Sequence, residues 1–351
     1  MASSESAVFL HGLSTAVPAH TLPQTEVEAR AERILGPRFP AFQRMAKTFT
    51  TSGVQTRYSV APFDWFETPA DWTDRNDRYL TGATDLFVHA ARDALADAGW
   101  EAGSVDVIVT VSSTGVATPT LEARAKGRLG FRDDALRVPV FGLGCAGGIG
   151  GLSVARELAV ARPGARVLLV VVETCTLHFR SEAPTKADII ATVLFGDGAA
   201  AACLSTEDGR IRVGRGVTKT WPDTLPIMGW DVDNEGLGVV FDRSIPKFTT
   251  EAFRPAADAA LAASGLALAD IDRFVSHPGG AKVVEALEAA LDLEPGRLDI
   301  ERDILGEFGN MSAPTVLFVL DRVLRTGTRG QLMSCALGPG FSAAFQPIHV
   351  S

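Results

Sequence analysis

The sequence predicts an α/β protein made of two similar layered halves, and three observations carry that expectation. Helical patterns alternate with short apolar runs that lack polar alternation, which is how strands covered on both faces read. The order of elements in the first half recurs in the second at nearly one offset. A glycine-bracketed turn, Gly144-Cys145-Ala146, has a counterpart in Gly309-Asn310-Met311.

In chain order, Ala7 to Leu13 reads as a first strand. Gln24 to Ile34 sets charged against apolar positions at helical spacing, an exposed amphipathic helix. Phe42 to Phe49 is a second, short helix that carries Arg44 and Lys47. Gly53 to Val60 mixes Arg57 and Tyr58 with β-branched residues, and Phe63 to Asp77, rich in Trp, Asp and Pro, reads as surface loop. Leu80 to Gly99 is Ala-rich and helical, with the glycine at its stop. Val105 to Ser112 is a buried strand, and Leu121 to Leu129 a helix. The apolar run Val138 to Phe141 leads into the cysteine turn, and the helix Leu152 to Ala161 leads out of it. Val167 to Val172 and Ala199 to Leu204 are further strands.

The second half repeats this plan. Ala90 to Gly99 aligns without gaps on Ala256 to Gly265, and Ser104 to Val109 on Asp270 to Val275. The cysteine turn then falls opposite the asparagine turn, and Arg166 to Val172 opposite Gln331 to Leu337. Four elements in register indicate duplication. The halves are placed at residues 1–208 and 209–351, with the polar turn Thr206-Glu-Asp-Gly209 between them.

Composition narrows the function. The chain has 351 residues and a formal net charge of -9. It has no basic run and no zinc-ligand spacing, so nucleic acid and metal are not expected partners. Its four cysteines lie far apart in sequence and read as reduced thiols. No apolar run reaches membrane-spanning length and the first residues do not resemble a signal peptide, so a cytoplasmic protein is expected.

Cys145 is either a nucleophile at a strand-to-helix turn, favoured as thiolate by the positive helix end, or a small buried thiol packed between glycines. His277, in Ser276-His277-Pro-Gly-Gly280, follows a buried strand and would sit at its C-terminal end, where open α/β sheets place ligand chemistry. It could equally cap a turn. Asn310, after a glycine, could be a helix cap. Duplication favours the functional reading of all three, because equivalent turns of two packed halves face each other across their interface. A cysteine paired with imidazole can attack a thioester, and imidazole and amide can donate to the enolate left when a malonyl thioester loses carbon dioxide. No carboxylate is needed, because decarboxylation generates the carbanion.

These residues resemble the type III polyketide synthases, the chalcone synthase-like branch of the thiolase-fold enzymes. The motifs are Gly144-Cys145-Ala146-Gly147-Gly148, Leu194-Phe195-Gly196-Asp197-Gly198-Ala199-Ala200, His277-Pro278-Gly279-Gly280, Gly309-Asn310-Met311-Ser312 and Gly338-Pro339-Gly340, in family order. The resemblance implies a duplicated thiolase-like fold, layered αβαβα, and a homodimer. It implies a starter acyl group on Cys145, assisted by His277 and Asn310. Extension with malonyl-CoA would end in a cyclised pyrone, resorcinol or phloroglucinol type of product. No cofactor is implied beyond the malonyl-CoA and acyl-CoA substrates.

The same resemblance assigns a substrate pocket. Phe195 matches an aromatic gatekeeper, and Val239 stands where plant enzymes have a second phenylalanine, which implies a wider pocket. Ser113 and His178 replace threonines that shape the cavity. Glu173 and Ser312 match residues that hold a water network, and Thr118 replaces a methionine that crosses the dimer interface. Arg44, Lys47, Gly279 and Gly280 fall at or beside CoA-binding positions, and Ala41 replaces a further basic residue, so a starter delivered by acyl carrier protein is a second expectation. Two rivals remain: a single-round 3-oxoacyl-carrier-protein synthase III, disfavoured by His277-Pro-Gly-Gly, and a non-catalytic acyl-binding scaffold of the same fold, disfavoured by the retained Cys, His and Asn.

Overall fold

The computed structural model describes residues 6–351. The first half contains β1 (Val8–Ala16), β2 (His20–Pro23), α1 (Gln24–Leu35), α2 (Phe42–Thr51), β3 (Thr56–Ser59), α3 (Trp72–Asp97), β4 (Val107–Val111) and α4 (Leu121–Leu129). It continues with β5 (Leu136–Val140), α5 (Gly147–Ala161), β6 (Val167–Thr174), α6 (Lys186–Leu194) and β7 (Asp197–Ser205). The second half contains β8 (Ile211–Val213), β9 (Val217–Thr220), β10 (Met228–Asp233), β11 (Gly236–Phe241), α7 (Ile245–Ala263) and β12 (Arg273–Ser276). It ends with α8 (Ala281–Ala290), α9 (Asp299–Phe308), α10 (Thr315–Arg325), β13 (Gly330–Gly338) and β14 (Ser342–Val350).

The duplication is visible in the pairing. In the first half β4 runs parallel to β6, which runs antiparallel to β7. In the second, β12 runs parallel to β13, which runs antiparallel to β14. β1 and β8 join the two sets into one sheet path. Side chains alternate along each strand, so each sheet has two apolar faces. Val107, Val109 and Val111 of β4 face α5 and α10, while Ile108 faces α3. In β13, Leu332 and Ala336 join the same central core, while Met333, Cys335 and Leu337 face α7 and α8. Five layers result: α3 with α4, one set of strands, α5 with α10, the other set, and α7 with α8.

Two local expectations change. The stretch from Phe63 to Asp77 is not all loop: α3 begins at Trp72, where the Asp71 side chain caps it by accepting from the Asp74 N–H at 2.8 Å. Arg75 and Tyr79 in its first turns are buried, so composition hid an amphipathic start. The helix after the cysteine also begins earlier, at Gly147, which brings its N-terminus against Cys145. No helix among the described residues is long and apolar enough to cross a membrane.

An ion pair between a buried carboxylate and a partly exposed guanidinium fastens the second half. Glu288 of α8 accepts from the N–H groups of Gly296 and Leu298 at 3.0 and 2.9 Å and from Arg302 at two points. Arg302 first, then those N–H groups, hold its carboxyl down at about 2. A depressed carboxyl stabilises the fold above its unfolded pKa, and that contribution is lost as pH falls toward the folded value. Glu288→Gln is expected to lower unfolding stability at pH 7 by about 2 kcal/mol, discounting the partly exposed Arg302. Urea titrations at pH 7 and pH 3 should show that deficit narrowing in acid.

Candidate active site

Three elements deliver three side chains to one cavity. Cys145 lies in the single 3-10 turn Gly144–Ala146 that leads into α5. Gly144 has φ +46, and a Cβ there would meet the Pro339 ring at 2.7 Å, so the turn needs glycine. His277 is the first residue beyond β12, and its N–H donates to the Cys335 carbonyl at 2.9 Å. Asn310 lies between α9 and α10. All three line a cavity of about 420 Å³, together with Gly279 and Gly280.

Asn310 is held on every side. Its N–H donates to the Leu194 carbonyl at 2.7 Å, and its carbonyl accepts from the Gly196 N–H at 3.0 Å. Its side-chain Nδ2 donates to the Gly279 carbonyl at 3.1 Å, and its Oδ1 accepts from the Ser312 N–H at 2.8 Å. An amide has two N–H donors, so one remains for the cavity. Ser312 turns the chain at φ 61 directly beyond Met311, two residues from Asn310.

His277 is buried, and neither ring nitrogen has a hydrogen-bond partner. Burial pushes its imidazole down to about 4 and pushes the Cys145 thiol up to about 11, against the pull of the Ser312 and Asn310 hydrogen bonds. Burial therefore favours the neutral thiol and the neutral imidazole, and opposes the pull of the helix end toward thiolate. An imidazole lowered to about 4 is a weak base until a thiolate develops against it, and its two uncommitted nitrogens leave it free to take the proton as that ion pair forms.

The pocket residues separate into groups. Ser113 lies behind the wall: its N–H donates to Glu173 at 2.9 Å, and its Oγ accepts from the Gly142 N–H at 3.0 Å. Glu173 is fully buried, and burial pushes its carboxyl up to about 8. His178 bonds the Thr114 carbonyl through Nε2 at 2.9 Å, and its ring lies 4.8 Å from that of Trp230. His178 and Phe195 line a second, smaller cavity of about 70 Å³ with Cys175. Phe195 packs on Phe241 at 5.7 Å, and Phe241 lines the large cavity, so the aromatic pair stands between the two spaces.

Val239 does not line either cavity; it pairs with Trp230 across the β10–β11 hairpin. The bulk that position 239 lacks comes from Phe241, two residues along the same strand and so on the same face. Sequence reading missed Phe241 as a partner for Phe195, and the i, i+2 spacing was the available signal.

Arg44 and Lys47 are exposed on α2, but Met45 and Thr48, one position further on, form the wall. The cations that do line the cavity are Lys186, Arg243 and Lys282, all exposed and all missed. Lys186 and Lys282 sit in the first turns of α6 and α8, where the helix dipole disfavours a cation unless an anion binds there. Thr118 is exposed beside Val116, away from the cavity.

Against this geometry, sequence models of the chalcone and stilbene synthases match nearly all of the chain. The N-terminal domain model covers residues 2–208 and the C-terminal domain model residues 215–347. The chain belongs to the chalcone and stilbene synthase family. The synthase is 36% identical to a 1,3,6,8-tetrahydroxynaphthalene synthase of Streptomyces peucetius, over 94% of this chain and 90% of the relative. It is 27% identical to the α-pyrone synthesis polyketide synthase-like Pks18 of Mycobacterium tuberculosis, over 94% of this chain and 88% of the relative. Its fold matches the crystal structure of the Streptomyces coelicolor tetrahydroxynaphthalene synthase, a bacterial type III polyketide synthase. The TM-score is 0.92 at 27% identity, covering 98% of this chain and 99% of that one. The synthase is thus an enzyme of the type III polyketide kind, an acyltransferase working by decarboxylative condensation.

Proposed function

We propose that Cys145 carries the growing acyl chain while His277 and Asn310 assist decarboxylation of malonyl-CoA and stabilise the resulting oxyanions. The observation that carries this reading is the convergence of the three side chains, from separate elements, on one cavity rimmed by Lys186, Arg243 and Lys282. The cations suit the phosphates of a CoA thioester. Apolar wall residues such as Ile190, Val193, Leu194 and Leu337 suit an acyl chain that must avoid water. The chemistry calls for no cofactor beyond the thioester substrates, and the product is a cyclised pyrone, resorcinol or phloroglucinol. Incubation with malonyl-CoA and a panel of acyl-CoA starters should release carbon dioxide and yield products lengthened by more than one malonyl unit. Mass spectrometry that found a single extension throughout would favour the 3-oxoacyl synthase chemistry instead.

The mouth makes a separate prediction. Lys282→Ala and Arg243→Ala should each raise the KM for malonyl-CoA about five- to tenfold with little change in kcat, because uniform phosphate binding is lost. Steady-state kinetics checks this, and an unchanged KM in both would remove these cations from the CoA path. Delivery by acyl carrier protein remains a proposal, since Arg44 and Lys47 lie outside the wall, and efficient use of acyl-CoA starters alone would exclude it. We also propose a homodimer formed on the edge strand β5, where Phe141 and Val116 are 60% and 53% exposed and Thr118 lies alongside. The working compartment we propose is the cytoplasm, in keeping with four free cysteines.

A further inference from the structure

Arg57 of β3 is among the largest fully buried side chains, and no carboxylate lies within ion-pair distance of it among the described residues. Its guanidinium is committed to the end of α6. Nη1 donates to the carbonyls of Thr192 at 2.5 Å and Phe195 at 3.2 Å; Nη2 donates to the Val193 carbonyl at 2.8 Å and to Gln24 Oε1. A helix leaves its last four carbonyls without helical partners. Here each has one. Ala191 accepts from the Phe195 N–H, Thr192 and Val193 from Arg57, and Leu194 from the Asn310 N–H.

The same few residues therefore contain the turn of Phe195 and the bridge to Asn310. Residues 195 and 310 form an isolated parallel β-bridge. Its two segments approach so closely that a Cβ on Gly196 would meet the Phe308 carbonyl oxygen at 2.4 Å, and one on Gly309 the Leu194 carbonyl oxygen at 2.7 Å. Arg57 Cβ is the next contact of both glycines, at 3.3 and 3.4 Å. Arg57 thus packs its stem against the bridge and ties its head to one of the bridge's segments.

We infer that Arg57 is a positioning residue that holds the Phe195 turn and the Asn310 amide in one fixed relation. The fork's two terminal nitrogens present four N–H groups to four acceptors, three carbonyls and Gln24 Oε1, whereas a lysine ammonium has three donors on one nitrogen and leaves at least one acceptor unmet. Burial lowers the guanidinium to about 9, so it stays charged at neutral pH and matches the negative end of α6. Gln24 completes the hub. Its Nε2 donates to the carbonyls of Val193 at 3.1 Å and Phe49 at 3.3 Å, which ties the end of α2 to the same point.

The test is Arg57→Lys. Hydrogen exchange of the amides of Gly196 and Asn310, both in the bridge, is expected to quicken at least tenfold, while that of α7 and α8 stays at the wild-type rate. A merely structural loss would quicken all of them together. In turnover, kcat should fall at least tenfold with malonyl-CoA KM within threefold of wild type, and shorter products should rise relative to full-length ones. That second expectation rests on the condensing chemistry proposed above; the exchange measurement does not, so the two can fail separately. Wild-type exchange at Gly196 and Asn310, or unselective quickening across the whole protein, overturns the inference. If Arg57→Lys does not fold, Gln24→Met leaves Arg57 in place while removing one of its anchors, and the same exchange comparison decides.

Discussion

Replacing Cys145 with alanine should abolish starter loading and lower chain extension by about 10³-fold or more, since no other group in the cavity can form the thioester. Cys203 and Cys335 lie in the cores on either side of the sheet, and Cys175 lines the smaller cavity, so none reaches the large cavity wall. Decarboxylation of malonyl-CoA should survive in part, because His277 and Asn310 remain in place around the rest of the cavity. Carbon dioxide release and product mass, followed in parallel, separate the two steps. The substitution removes one atom from a buried site, so the fold should persist and thermal unfolding should confirm it. Elongation at the wild-type rate in this variant would rule Cys145 out as the acyl carrier.

The duplicated architecture was legible because it is written in local patterns: buried strands, Ala-rich helices and glycine turns repeat along the chain. The Cys145, His277 and Asn310 set was legible for the same reason, each lying at the end of an element that the pattern locates. What was not legible is whatever depends on the turn of a helix or the face of a strand. Arg44 and Lys47 miss the cavity wall by one helical position, a 100° rotation that composition does not show. Phe241 and Trp230 meet Phe195 only after the β10–β11 hairpin folds over it. Arg57 reads in sequence as one basic residue among many; burial against the end of α6 is what gives it a task. The state of the thiol was also out of reach, since the helix end argued for thiolate while burial, known only from the fold, argues against it.

The cavity has a division of labour that follows from these placements. Helix ends and lysines gather at the mouth, where phosphate charge would be bound. Apolar side chains occupy the middle. At the far end the polar groups are either satisfied by backbone, as for Asn310 Oδ1, or left open, as for both nitrogens of His277. A buried ring nitrogen with no protein partner is costly, and is retained where a reacting group takes it up.

His277→Ala tests that reading through pH. A thiol at about 11 is ionised at pH 7 to roughly one part in 10⁴, so its reactivity there depends on a neighbouring base. Alkylation of Cys145 by iodoacetamide at pH 7 should be about 10²-fold slower in His277→Ala than in the wild type. The sign of the pH dependence follows from the raised thiol: as pH climbs toward 11, the thiolate forms without help and the two curves converge. Malonyl-CoA decarboxylation should fall by about 10²- to 10³-fold at every pH, because the enolate oxygen loses a donor that deprotonation of cysteine does not replace. Parallel alkylation profiles with a constant gap would mean that His277 positions the thiol without taking its proton. Coincident profiles would mean that His277 takes no part in activating the thiol.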